Sequence, residues 1–211
     1  MNKMILCMDV IKFLHFNFFS RHVARDKGKY LIPLKGTVLD IRKGAKIVLH
    51  GNIFICALKP KGVKEQSSCQ LYENSTLTIN GTVYLGYGSV IQLHKGAAIS
   101  IGKATINAYV TMIAEKEIQI GSDVLVGRYA SIFDSDFHSV LDSMGNRKNP
   151  PLKVNIGNHV WICIKATILR GSTIGDGAVI GAGALVANNV NNGELIGTNR
   201  GQSFGLIRWE A

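Results

Sequence analysis

Charged residues are scarce in this chain, 18% of 211 positions, and acidic ones scarcest, with 14 Asp and Glu against 24 Lys and Arg. So little charge beside 46% hydrophobic content argues against a disordered chain and for one well-filled domain. The formal charge of +10 favours an anionic partner, either nucleic acid, a membrane surface or a phosphorylated cofactor. Nucleic acid is not expected, because no recognised binding motif occurs and no aromatics interleave with a basic stripe. The four cysteines, Cys7, Cys56, Cys69 and Cys163, form no CxxC pair, which points to reduced thiols and a cytoplasmic location. The apolar start, MNKMILCMDVIKFLHFNFFS, has no small-residue cleavage site and is interrupted by Asp9, Lys12, His15 and Asn17. That argues for a short amphipathic helix over a signal peptide, a helix that either caps the domain or attaches peripherally to a membrane through residues 1–20.

What is present is a repeat. From residue 156 the chain reads IGNHVW ICIKAT ILRGST IGDGAV IGAGAL VANNV, with Ile156, Ile162, Ile168, Ile174, Ile180 and Val186 at steps of six. Four positions after each stand Val160, Ala166, Ser172, Ala178, Ala184 and Val190. A helix needs steps of three and four and an alternating strand needs steps of two, so a strict period of six fits neither. It fits a β-helix, in which each unit is a short strand plus a corner and three units close one triangular coil. The branched aliphatic fills the interior and the fifth residue packs beside it. Gly157, Gly171, Gly175, Gly177, Gly181 and Gly183 suit the turns.

Elsewhere the period is looser but recurs at Ile41, Ile47 and Ile53, at Ile79, Leu85 and Ile91, and at Ile120, Val126 and Ile132. These spans predict a helical lead-in cap over residues 1–34 and an all-β domain over 35–211. Its coils run from about residue 35 to 196, with insertions near 56–76 and 133–155. The second insertion opens on SDFHS and ends on Pro150-Pro151, a loop thrown out from a corner that displays His138 beside the coil wall.

The run IGNHVWICIKATILRGSTIGDGAVIGAGALV resembles the hexapeptide-repeat acyltransferases. SDFHS followed by NPPLKVNIGNHVWI is similar to the active-site loop and return of bacterial O-acetyltransferases acting on capsule, exopolysaccharide or lipopolysaccharide sugars. The match covers about residues 120–196. It implies a left-handed parallel β-helix, against the usual right-handed crossover, a homotrimer with active sites between subunits, acetyl-CoA as donor and a sugar or polysaccharide precursor as acceptor. It also implies donor contacts at Ile164, Ala182, Ala187 and Asn188, and places Trp161 by the acceptor or pantetheine channel; interface packing is the plain alternative for Trp161. Lys165 is a further donor contact on charge alone. The chain departs from the family pattern at Cys163, where glycine is usual, and at Ala187-Asn188, where threonine-lysine is common. It also lacks the closing Gly-x-Pro-Ala-Lys, so Arg200 or Arg208 would have to supply that positive charge.

The chemistry can be argued on its own terms. Moving an acetyl group from a thioester to a sugar hydroxyl requires removing a proton from an alcohol that barely ionises at neutral pH. A histidine, with an ordinary pKa near ~6.5, can take that proton and return it to the leaving thiolate. His138 is the expected general base. Asp136 is expected to orient the ring or hold an acceptor hydroxyl, and Asp134 to bind the acceptor. An amino-sugar N-acetyltransferase would use the same base and scaffold. A metal enzyme of the gamma-carbonic-anhydrase type needs closely spaced histidines that this sequence lacks, so no metal is expected. A β-helix without catalysis is the remaining alternative.

Overall fold

The structure, a computed structural model, describes residues 7–198 and the backbone of 203–206. Successive short strands are laid in turn on three walls of a triangular prism, so that strands neighbouring in space are parallel and one turn apart. The first wall runs from Val23–Arg25 to Thr173–Ile174, the second from Leu31–Pro33 to Glu194–Ile196, and the third from Thr37–Ile41 to Leu185–Val186. This is the parallel β-helix that the repeat predicts, with the left hand that the family resemblance implies. An antiparallel return, Ser203–Leu206, adds to the last strand of the second wall.

Stacking at the interstrand spacing of ~4.8 Å puts each inward aliphatic over its counterpart one coil on. On the first wall Leu49, Ile79, Ile101, Ile120, Ile156 and Ile174 form one such ladder. On the second wall Ile55, Leu85, Ile106, Val126, Ile162, Ile180 and Ile196 form another. Nearly all of these side chains are fully buried, each worth about 1.5–3 kcal/mol relative to exposure.

Coil length explains why the period is sharp at one end and blurred at the other. Ile156 stacks on Ile174, eighteen positions on, which is three hexapeptides. Ile79 stacks on Ile101, and Ile101 on Ile120, so the earlier coils carry extra corner residues. The insertion expected over 56–76 is shorter than the sequence implied. Ser67–Leu71 and Thr76–Ile79 are strands of the third and first walls. They escaped the pattern because Ser67, Cys69 and Ser75 occupy fully buried positions. Ser67 Oγ donates to Gly86 O at 3.0 Å and Ser75 Oγ to Tyr72 O at 2.6 Å, so neither hydroxyl is stranded.

Corners differ from the expectation as well. Gly183 does hold a left-handed conformation, φ 70°, but Tyr109, Tyr129, His159 and Lys165 adopt it too without being glycine. Gly181 has another function: a Cβ there would lie 2.8 Å from Ile196 O in the next coil.

The coils begin before residue 35, since Val23–Arg25 pairs with Lys46–Leu49, and Leu31–Pro33 with Ile53–Ala57. Ahead of them α1 (Val10–Leu14) continues as a π-helical turn, His15–Phe19, over the open end of the coil. Asp9 caps α1 by accepting from Lys12 N. Asn17 is buried and welds helix to coil: its amide donates to Leu31 O at 2.7 Å and to Phe13 O at 2.8 Å, while Leu31 N donates back at 2.9 Å. Phe16 packs on the core beneath. No helix among the described residues is long and apolar enough to cross a membrane.

Ile174→Asp would place an unpaired charge inside the first-wall ladder, where Ile174 is 1% exposed. The expected outcome is a loss of roughly 4 kcal/mol or more, read as a lower denaturant midpoint. A variant with an unchanged midpoint would contradict this packing.

Candidate active site

The second insertion leaves the third wall after Ser131–Phe133 and rejoins the first at Val154–Ile156, so it projects from the edge between those walls. Its root is tied to the preceding coil. Asp134, 0% exposed, accepts backbone N–H groups from Glu115 at 2.7 Å, Lys116 at 2.8 Å and Glu117 at 2.5 Å. Burial pushes its carboxyl above the ordinary value while the three N–H donors pull it back. The acceptor-binding role expected for Asp134 is therefore corrected: its carboxylate faces inward and is saturated by backbone donors.

The next residues set the direction of the loop. Ser135 Oγ donates to the Glu115 carboxylate and accepts from Phe137 N at 2.9 Å. Phe137 turns through a left-handed φ of 59°, and His138 N bonds Asp136 O at 2.7 Å. The Phe137 ring is stacked on His94, centroids 5.4 Å apart, and meets Phe133 edge-on at 6.0 Å. That strained turn is held from three sides.

Its outer half is clasped by Asn149, the buried residue before Pro150-Pro151. Asn149 Nδ2 donates to Asp136 Oδ2 and to His138 O, both at 2.8 Å, and its Oδ1 accepts from Val140 N at 2.7 Å. Arg170, from the third wall's edge one coil on, donates through Nε to Asp136 Oδ2 at 2.9 Å. The hydrogen bond from Asn149, then the hydrogen bond and charge of Arg170, hold the Asp136 carboxyl below its ordinary 3.8. Arg147 adds charge from beside Glu115, 3.5 Å away.

With its backbone fixed in this way, His138 presents its imidazole outward. Among the described residues the ring has no hydrogen-bond partner. The Asp136 carboxylate thus ties the loop to Arg170 and to Asn149, and Asp136 meets His138 through backbone, by its own carbonyl and by way of the Asn149 amide. An exposed imidazole on a loop whose backbone is fixed can accept a proton from a bound hydroxyl.

The remaining expected site residues fall on different edges. Ala187 and Asn188 follow Leu185–Val186 on the same third-to-first edge as His138 and Arg170, and are exposed. Ile164, Lys165 and Ala182, also exposed, lie on the second-to-third edge. Trp161, 41% exposed, points outward from the second wall between Leu125 and Val179. One chain therefore sets His138, Asp136, Ala187 and Asn188 along one edge and Trp161, Ile164, Lys165 and Ala182 on the second wall and its other edge. Arg200 and Arg208 lie outside the described residues. Cys163 is half-buried, and burial raises its thiol pKa, which disfavours a nucleophilic thiolate. Among the described residues no group of three or more His, Cys, Asp and Glu side chains is placed to hold a metal ion.

Sequence reading missed Asn149, Arg170, Glu115 and His94. Asn149 stood in the quoted NPP return and signalled only a turn; Arg170 stood in an outward repeat position beside Gly171.

Residues 153–188 match the family described as bacterial transferase hexapeptide (six repeats). The chain is 31% identical over 146 residues to a probable acetyltransferase of Mycobacterium tuberculosis, covering 66% of this chain and 45% of that protein. It is 32% identical over 110 residues to a galactoside O-acetyltransferase of Escherichia coli, covering 51% of this chain and 50% of that one. It thus spans about half the length of these curated relatives. In fold it is similar to a crystal structure of a polySia-specific acetyltransferase, with TM-score 0.55, 22% identity, and coverage of 91% of this chain and 90% of that one. The chain carries the hexapeptide-transferase repeat and folds as those proteins do.

Asn149→Ala should release the clasp. Leaving Val140 N and His138 O unpaired is expected to cost roughly 1–3 kcal/mol, and the Asp136 carboxyl, left with the arginines, should titrate nearer 3.8 by carbon-detected NMR. A carboxyl depressed in the fold adds stability that is present above its unfolded value and lost as pH falls through its folded value. The stability gap between parent and variant should therefore narrow in acid below 3.8. A gap independent of pH would break the link between Asn149 and Asp136.

Proposed function

We propose that this chain is an acetyltransferase that moves an acetyl group from acetyl-CoA to a sugar hydroxyl in surface-polysaccharide biosynthesis, with His138 as general base. The observation that carries this reading is the exposed imidazole of His138, without a hydrogen-bond partner among the described residues, on a loop clasped by Asn149, Asp136 and Arg170. Acetyl-CoA supplies the activated thioester. His138 accepts the proton of the acceptor hydroxyl as its oxygen attacks the acetyl carbonyl, and returns that proton to the departing thiolate. Both transfers suit one imidazole in a direct-transfer ternary complex. The raised thiol of Cys163 speaks against an acyl-cysteine route.

The division of the candidate residues between edges supports a homotrimer. Packed with parallel axes, one subunit's third-to-first edge can face the next subunit's second wall, so that Trp161, Ile164, Lys165 and Ala182 of a neighbour complete the groove beside His138. The relatedness to a galactoside O-acetyltransferase supports a sugar acceptor. The donor's phosphates suit the exposed Lys165.

The test is thiol release from acetyl-CoA across a panel of sugar acceptors, with NMR of the product to separate ester from amide. His138→Ala removes no ladder residue, so folding and acetyl-CoA binding should persist while turnover falls roughly 10²–10⁴-fold. A His138→Ala enzyme that keeps most of the parent's transfer would overturn the assignment.

A further inference from the structure

The helical cap presents a surface that sealing the coil does not use. Phe13, Phe16 and Asn17 of α1 and its π-helical turn face the coil or its first turn. Val10, Ile11, Leu14, Phe18 and Phe19 are exposed, Ile11 by 82% and Phe19 by 78%. Their spacing sets them along one side of the helical segment, with exposed His15 among them, so the outer side is mostly apolar as well as the side that packs on the coil. Large apolar side chains occur singly on ordinary surfaces; five on two and a half turns form a patch.

Cations border that patch. Lys12 sits on the same helix, Arg21 is exposed just beyond it, and the Arg25 guanidinium lies 5.1 Å from the centroid of the Phe18 ring and 4.7 Å from that of Tyr30. Arg25 Nη1 also donates to Lys29 O at 3.4 Å, which draws the turn carrying exposed Lys27 to the same end. The two carboxylates of this region are already engaged, Asp9 with Lys12 at 2.8 Å and Asp26 with His50 at 3.0 Å. The end of the prism is thus apolar at its centre and positive at its margin.

We propose that this face docks the N-terminal end of the coil on an anionic lipid surface. Ile11, Leu14, Phe18 and Phe19 enter the boundary between headgroups and acyl chains, while Arg21, Arg25, Lys27 and Lys29 meet lipid phosphates. The helical segment lies in the interface and does not span, since Val10–Phe19 is far shorter than the ~20 residues a crossing requires. A second copy fits this face less well, because a symmetric contact would set its basic margin against an identical one.

Flotation of the full chain with vesicles tests this independently of acetyl transfer. The chain should rise with phosphatidylglycerol–phosphatidylethanolamine vesicles, fail to rise with phosphatidylcholine vesicles, and be released by high salt. I11S/F19S should weaken partitioning by roughly tenfold for each side chain removed, with circular dichroism and sedimentation unchanged. R21E/K27E should abolish the preference for phosphatidylglycerol with the apolar face intact. Failure of the parent to float with anionic vesicles, equal flotation with both lipids, or an I11S/F19S chain that still floats would overturn the proposal. A change of sedimentation in place of a change in flotation would do so too, assigning the face to a second copy.

Discussion

Parallel backbone pairing between successive coils is the constraint on which the rest of this structure depends. Each strand both donates to and accepts from the strands of the coils before and after it, as Ser67 N bonds Gly36 O behind it and Ser68 N bonds Ser89 O ahead, and this works only if the inward side chains stay in register from coil to coil. One residue added within a strand would turn its inward set outward. Added length is therefore confined to the corners, and the chain obeys this twice. Residues 58–66 leave between the second and third walls, and residues 134–153 between the third and first. The place of His138 follows from the ladders: a loop that displays a polar side chain without disturbing them has only three edges from which to project.

What could be read from the sequence tracks the same constraint. The last coils, at eighteen residues per turn, show their period plainly, as between Ile156 and Ile174. Earlier coils carry extra corner residues and use Ser67, Cys69 and Ser75 inside, so the period slips although the packing does not. The first strands, Val23–Arg25 and Leu31–Pro33, had no preceding repeat to mark them. In the site, His138 was legible because a histidine among aspartates and serines interrupts an apolar rhythm. Asn149 and Arg170 were not, because they reach Asp136 across 13 and 34 positions, Asn149 by the folding of the loop on itself and Arg170 by the winding of the coil. Asp134 was misread for a related reason: a carboxylate at a loop root reads as displayed, and its inward turn depends on the N–H groups of Glu115, Lys116 and Glu117 in the coil before.

The clasp also separates two tasks that a short polar motif seems to combine. Asp134, Ser135, Asp136 and Asn149 spend their hydrogen-bonding capacity on backbone and on one another's neighbours, fixing a loop too irregular to hold itself. His138 contributes its backbone to that network and keeps its ring out of it. A base tied by an internal carboxylate would already have a partner for one nitrogen, whereas here the protein restricts where the ring stands and leaves both nitrogens to whatever binds.

The same accounting bears on where an anion could be held. Arg147 of the loop and Arg170 of the coil beside it are engaged with Glu115 and Asp136, so their positive charge is offset at short range. The cations on the coil's outer edge are different. Lys165 holds a left-handed corner at φ 58°, its N–H bonded to Arg128 O at 2.9 Å, and both side chains are exposed. They stand on the second-to-third edge, away from His138 of the same chain. In the reading proposed above, donor phosphates drawn to these cations lie on a different edge from His138 of the same chain, which is where a neighbouring copy would supply the base. Lys165 is common to the charge argument and to the placement of Trp161, Ile164 and Ala182, and Arg128 is the residue that charge adds to the proposed parallel assembly.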